Sequence, residues 1–547
     1  MNGAPVLSIL IFLPIVVAIV CLLLPGDRAD GSVARPLALI AALVTLVLAI
    51  IAIVAFAPGE TGLRYEENLN WIPALGIRYH LGLDGLNVLL VVLTAVLTPS
   101  AILASWNQMG DRPRLYVALL LLLEGTVIGA LSALDLIVFF VFWEAMLVPL
   151  YLLISTFGGP RRGYAALKFF IFTSVGSLLM LLAILYVSFV HGAKVSGAAP
   201  SFGIADLIGT PFSVTEQRVL FLAFALAFAI KLPLFPFHSW LADAYTQSPA
   251  TVLVLATMLV KVGAYSFFRF AIPLFPQAAA DLMPYLAILA TIGIIYGGLV
   301  AAAQHDMVRL LAFSSMAHLG FIGLGIFALD TRAAQGSLLQ MVNHGVSSGA
   351  LFLIAAMIAA RTGTRNLTKI GGLARRWPVL TGVFILAAFS SLGLPGLNGF
   401  VGEFLILLGA FRTERVLAII GAIGVLLAAI YMLRLFHGSM FGAEHATADD
   451  DSDSAARVSG DLSLRELAAL TPLLVLIVWI GVYPSPFLRR TEGTVIQTLN
   501  HVTAARQAIT ACAPRADYGL VNATAAPACE PDLTELRSGL WTSAPHR

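Results

Sequence analysis

Four charged residues and three histidines stand where charge is costly. Glu144, Lys231, Lys261 and Glu403, together with His238, His318 and His344, fall inside apolar runs of the length that crosses a hydrocarbon core. A charge at mid-bilayer costs a few kcal/mol even on lenient insertion scales, so such a group is a functional candidate by default. Glu144 lies about ten residues into its run, or ~15 Å at the helical rise. Lys231 and Lys261 each lie 13 residues into theirs, roughly 20 Å deep. One acid and two bases therefore share the midplane. Carboxyl and amine groups can change charge, and imidazole exchanges donor and acceptor roles between its nitrogens, so the chemistry these types suit is proton transfer. The alternative is a static ion pair of Glu144 with Lys231 or Lys261 that holds the bundle together. Against it, a buried pair seldom stabilises relative to apolar packing, and the second lysine would remain without a partner.

The segments that carry these groups are themselves unusual. Lys231-Leu-Pro-Leu-Phe-Pro236-Phe-His238 has two prolines that remove backbone donors and break the helix beside the lysine. Freed carbonyls at membrane depth are tolerated only against protein or a wet cavity. Leu394-Pro395-Gly396, followed by Glu403, predicts a second break of the same kind. Single histidines in such helices can also serve as hydrogen-bonded packing residues. Glu124 is a further acid in an apolar run, open between a pathway role and an interhelical hydrogen bond made as the neutral acid. Asp135, Asp306 and Arg309 fall at the ends of their runs, where loop or cap duties are expected.

Around these residues the chain reads as an all-α polytopic membrane protein. Of 547 residues 59% are hydrophobic and 11% charged, where soluble domains carry about 25% charge. Spans are expected near 5–25, 33–57, 81–105, 114–133, 134–157, 162–190, 218–246, 248–272, 282–302, 307–328, 336–361, 378–411, 416–438 and 464–484, about fourteen helices, with the seventh and twelfth broken. Loops after odd-numbered spans hold sixteen Lys and Arg against eight after even-numbered ones. That bias places odd loops in the cytoplasm and both termini outside. Asp135 to Glu144 aligns with Asp306 to Ser315, Pro233 with Pro395 and Arg269 with Arg434 at offsets of 171, 162 and 165, so spans 4–8 recur as spans 9–13. Five helices per unit is odd, which makes the repeat inverted, an arrangement typical of translocators. Residues 1–113 then hold spans 1–3, 114–272 the first repeat, 273–440 the second, 441–484 a cytoplasmic loop and span 14, and 485–547 a polar extracytoplasmic tail without long apolar periodicity. The net charge of +2 leaves no footprint for nucleic acid. Cys21, Cys512 and Cys529 are too few and scattered for an iron–sulfur or zinc site. Outside the cytoplasm, Cys512 and Cys529 are expected to form a disulfide across the polar tail.

Five strings in order then carry a resemblance: Asp135 through Phe-Trp-Glu144-Ala-Met-Leu-Val-Pro149, Lys231-Leu-Pro-Leu-Phe-Pro-Phe-His-Ser-Trp-Leu241, Ser314-Ser-Met-Ala-His318-Leu-Gly, Asn343-His344-Gly and Gly399-Phe-Val-Gly-Glu403-Phe. From about residue 80 to 440 the chain resembles the antiporter-like subunits of respiratory complex I. Glutamate rather than lysine at 403 is similar to one branch of that family, and the short tail is unlike the branch that carries a long lateral helix. The resemblance implies proton pumping driven remotely by quinone reduction elsewhere in the complex, with no redox centre or cofactor in this chain. It implies an acid–lysine pair (Glu144, Lys231), a central lysine (Lys261), histidine relays (His238, His318, His344) and a terminal acid (Glu403). The implied partners are the other membrane subunits, the lipid bilayer and protons, in a bacterial inner membrane. Val308 before Arg309 and Tyr245 depart from the lysine and histidine common in relatives, which bears on proton entry. Two competing readings are a subunit with the same core in a multi-subunit Mrp-type sodium/proton antiporter or membrane-bound hydrogenase, and a haem-bearing electron carrier with His318 and His344 as ligands. No Cys-x-x-Cys-His attachment motif supports the last.

Overall fold

In the computed structural model, residues 5–25, 31–196, 200–443 and 460–512 are described, with side chains as far as 504. The helices are α1 Val6–Leu23, α2 Ala34–Ala55, α3 Val88–Ser105, α4 Pro113–Ser132, α5 Leu136–Ala145, α6 Leu147–Phe157, α7 Arg162–His191, the short α8 Ile204–Leu207, α9 Val214–Lys231, α10 Ser239–Gln247 and α11 Ala250–Ser266. After a π-helical segment, Phe267–Ala271, follow the short α12 Ile272–Leu274, α13 Pro276–Ala302, α14 Met307–Phe327, α15 Thr331–Thr362, the short α16 Leu373–Arg376, α17 Pro378–Ser391, α18 Asn398–Thr413, α19 Arg415–Phe441, α20 Leu464–Val482 and α21 Ser485–Cys512. Twelve spans among the described residues are long and apolar enough to cross a membrane. The expected spans 7 and 12 are each present as two shorter pieces, α9 with α10 and α17 with α18.

Burial sorts these helices into a centre and a lipid-facing rim. The apolar windows of α11, α14 and α15 are fully buried, whereas those of α2, α19 and α20 are only 33%, 33% and 28% buried. The rim turns Leu, Ile, Val and Phe outward, as a hydrocarbon solvent demands, and the centre holds the buried polar groups. Both helix breaks open toward that centre. In the first, Trp240 Nε1 donates to the Ile230 carbonyl at 2.9 Å, which satisfies an acceptor that Pro233 and Pro236 leave exposed. A Cβ on Gly263 would stand 2.9 Å from Leu232 N and 3.2 Å from Lys231 Cβ, so glycine lets α11 approach the break closely. In the second, Gly393 and Gly396 take φ of +79° and +94°, a backbone open to glycine, and the Asn398 side chain ties the break to Asn343 and Ser347.

Asp135 caps α5 by accepting from Ile137 N and Val138 N, and Asp306 caps α14 by accepting from Arg309 N, the cap duties expected of both. Residues 134–136 exchange backbone hydrogen bonds with 202–204, and residues 305–307 do the same with 365–367. The same device thus recurs at corresponding places in the two halves.

Two expectations need correction. Residues 64–83 are not a loop running into span 3 but an antiparallel hairpin, β1 Arg64–Ile72 and β2 Ile77–Leu83, so the fold is helical with one exception. Its turn closes at Gly76, φ +70°. The hairpin is anchored by Asp84, which meets Arg269 of the π-helical segment in a bidentate pair at 2.7 and 2.8 Å, both side chains fully buried. Breaking such a pair strands a buried charge, at a cost of about 3–5 kcal/mol. The second correction concerns the polar tail, of which 485–512 is helix α21. It buries Phe487, Thr491, Thr494, Val495, Thr498, Leu499 and Val502; three threonines on the packing stripe lower its hydropathy, so the helical period carries little apolar signal. Span 5 is present as expected over Leu136–Phe157, with α5 and α6 meeting at Met146. Cys529 lies outside the described residues, as does the side chain of Cys512.

Candidate proton pathway

Four helices bring four of the expected residues into one buried line. Lys261 of α11 places Nζ 2.7 Å from His344 Nδ1 on α15. His318 of α14 places Nδ1 2.8 Å from Glu403 Oε1 on α18, and its Nε2 meets Ser391 Oγ at 3.2 Å. Gln340 Nε2 donates to the same Glu403 oxygen at 3.1 Å. All four are at most 4% exposed. The imidazoles of His318 and His344 lie 5.8 Å apart, centre to centre, too far for a direct hydrogen bond.

Between them lies a cavity lined by His318, Gln340, Asn343, His344, Ser347 and Ser391, among others, with about 10 Å³ open to the centre of a water molecule. That is room for about one water, given polar partners. His344 Nε2 and Asn343 Oδ1 face this region without hydrogen-bond partners, a donor and an acceptor for such a water. A proton arriving on Lys261 can pass to His344 Nδ1, leave from Nε2 across the cavity and reach His318, whose other nitrogen is already bonded to Glu403. Imidazole suits each step because one nitrogen can accept while the other releases.

The first acid and lysine are arranged differently from the expected pair. Lys231 Nζ donates to the Trp143 carbonyl at 3.1 Å and stands 3.6 Å from the centre of the Trp143 ring, a cation–π contact. No ion pair within 4.0 Å joins it to Glu144 among the described residues. Glu144 Oε1 has no hydrogen-bond partner, and the residue is half-buried. A direct-contact pair is therefore not what the structure holds: the indole and carbonyl of Trp143 touch the ammonium, and the Glu144 carboxylate lies nearby without a contact ion pair. Lys231 and Lys261 lie on different flanks of α11, because Gly263 touches Lys231 and two helical residues turn by about 200°.

His238 is not brought into the line. It precedes α10, stacks on Phe235 and lies 5.0 Å from the Tyr296 ring, with Nδ1 unpartnered. Tyr245 is buried against Phe352 with its hydroxyl unpartnered, and Val308 is fully buried. Sequence reasoning missed Gln340, Ser391 and Asn398, which orient the acid and the second break. Their signal was polarity on otherwise buried helix faces near the quoted motifs.

A helical bundle with two broken helices and a buried lysine–histidine–histidine–glutamate line defines an ion-translocating membrane subunit. Residues 133–430 match the family described as "NADH:quinone oxidoreductase/Mrp antiporter, TM", and the chain belongs to that family. Within it, the chain is 37% identical over 491 residues, 89% of its length and 97% of the relative's, to NADH-quinone oxidoreductase subunit M of Rickettsia prowazekii (strain Madrid E). It is 39% identical over 491 residues, 88% of its length and 93% of the relative's, to the subunit M of Rhodobacter capsulatus. In structure it is similar to a chain of respiratory complex I from Thermus thermophilus with bound NADH, with a TM-score of 0.81, 33% identity, and coverage of 91% of this chain and 99% of that one.

Proposed function

We propose that this chain is a proton-translocating membrane subunit of an NADH:quinone oxidoreductase, of the kind called subunit M. The observation that carries the proposal is the line from Lys261 through His344 and His318 to Glu403. Quinone reduction elsewhere in the complex drives it, and this chain contributes proton-carrying side chains and no redox cofactor. Glu144 and Lys231 form the entry end and Glu403 the release end. The Mrp-type reading rests on the same fold; the names of the relatives and the glutamate at 403 favour the oxidoreductase.

The test uses inverted membrane vesicles that contain the complete complex. NADH is expected to drive acidification of the lumen that does not depend on sodium and that stops when quinone reduction is inhibited. Sodium/proton exchange in response to an imposed pH gradient without NADH would instead support the antiporter reading. A Soret band in the purified subunit would contradict the absence of a redox group.

From the charge bias of the loops we infer that both termini lie outside the cytoplasm of a bacterial inner membrane. That side is oxidising, and closing the 17-residue interval between Cys512 and Cys529 would restrict the unfolded segment by roughly 3 kcal/mol. With an impermeant maleimide added to intact cells, both cysteines are expected to label only after reduction. Labelling without reductant rejects the disulfide, and labelling only after the membrane is broken rejects the orientation.

A further inference from the structure

One acid at the centre of the bundle is left unused by this pathway. Glu124 of α4 is fully buried, and neither of its carboxyl oxygens has a hydrogen-bond partner. Buried polar side chains are nearly always paired, and leaving a carboxyl without a donor is costly. A purely structural acid would be expected to cap a helix or bridge two helices. This one caps no helix, and the hydroxyl beside it, that of Thr98 on α3, already donates to the Thr94 carbonyl at 3.0 Å.

The depth of Glu124 follows from the contacts of α4 with α11. Tyr116 OH and Thr251 Oγ1 are 2.9 Å apart, and Tyr265 OH donates to the Leu131 carbonyl at 2.8 Å. Residue offsets of 135 and 134 at these two points mean that the helices run parallel with almost constant register. Glu124 is therefore level with residues 258–259 of α11, roughly 3–5 Å along the axis from the level of Lys261. Thr257, one turn before Lys261 and so on the same face, is level with residues 122–123. Its hydroxyl donates to the Val254 carbonyl at 2.9 Å. Lys261 has a single hydrogen-bonded side-chain partner, His344, which takes the proton onward.

We propose that Glu124 is a proton-carrying residue that exchanges with Lys261, a lateral branch from α3 and α4 into the central line. The inference rests on the reading of this chain as a proton carrier. In the step, the O–H bond of the Glu124 carboxylic acid breaks and an N–H bond forms on the neutral Lys261 amine, by way of the Thr98 and Thr257 hydroxyls or water between them. Carboxylate and ammonium result, nothing is oxidised or reduced, and the proton leaves through His344 to restore the amine.

The experiment compares Glu124→Gln and Glu124→Asp in the complete complex reconstituted in proteoliposomes, with Lys261→Ala as reference. The glutamine side chain keeps the size but cannot release a proton. Protons translocated per NADH are expected to fall at least about twofold in Glu124→Gln, since a general acid–base contribution is commonly larger than that, and to recover in part in Glu124→Asp. Infrared difference spectra on turnover are expected to show a protonated-carboxyl band that Glu124→Gln lacks. Full pumping by an assembled Glu124→Gln complex overturns the inference. So does a wild-type carboxyl spectrum that is silent on turnover, a readout that serves even where the glutamine variant fails to assemble. Loss of pumping in Lys261→Ala with full pumping in Glu124→Gln rejects only this branch. Wild-type pumping in Lys261→Ala rejects the proton-carrier reading itself.

Discussion

Lys231→Ala is expected to leave the complex assembled and to lower coupled proton pumping by more than about tenfold, equivalent to ~1.4 kcal/mol or more in the rate-limiting barrier. The alanine removes the cation that touches Trp143 at the first helix break. It leaves behind no buried counter-charge in contact, since the carboxylate of Glu144 stands outside ion-pair range. A pair locked by direct contact would instead predict misfolding when one partner is removed. The same geometry makes Glu144→Ala a test of transfer more than of stability: its Oε1 has no partner to lose, so assembly should survive while pumping fails. Quinone-linked NADH oxidation and acidification are to be measured together in vesicles, with subunit content checked by gel. Wild-type pumping in either variant removes the pair from the pathway.

Glu403→Gln is the second large effect. Glu403 Oε1 accepts from both His318 and Gln340; the amide oxygen of a glutamine has lone pairs for both bonds, but the group cannot ionise. Pumping should therefore fall by an amount comparable to Lys231→Ala, again about tenfold or more, with the fold intact. Glu403→Asp keeps the acid on a side chain one methylene shorter, which lengthens its reach to His318, and should retain part of the activity. Full activity in the glutamine variant rejects Glu403 as the release group.

Much of this site is legible in the sequence because a membrane makes exceptions visible. Charged residues in apolar runs stand out, and prolines at 233, 236 and 395 mark the breaks beside them. The hairpin at 64–83 was hidden because β1 is mostly exposed and β2 mostly buried, so no clean alternation of burial marks either strand. The helix after Ser485 was hidden by threonines that pack as well as apolar residues yet score as polar. Contact cannot be read from depth alone. Lys231 and Glu144 lie near each other yet make no contact ion pair, because the carbonyl and ring of Trp143 hold the ammonium. His238 lies close in sequence to Lys231, but the break turns its ring toward Phe235 and Tyr296. Conversely, Lys261 and His344, 83 residues apart, meet only because α11 and α15 pack together at the centre of the bundle.

Protons are expected to cross this chain through Lys261, His344, His318 and Glu403. The decisive quantity is the number of protons translocated per NADH oxidised in proteoliposomes, wild type against Lys261→Ala. The ratio is expected to fall toward zero in the variant while the assembled complex retains its subunits. An unchanged ratio in Lys261→Ala would contradict the claim.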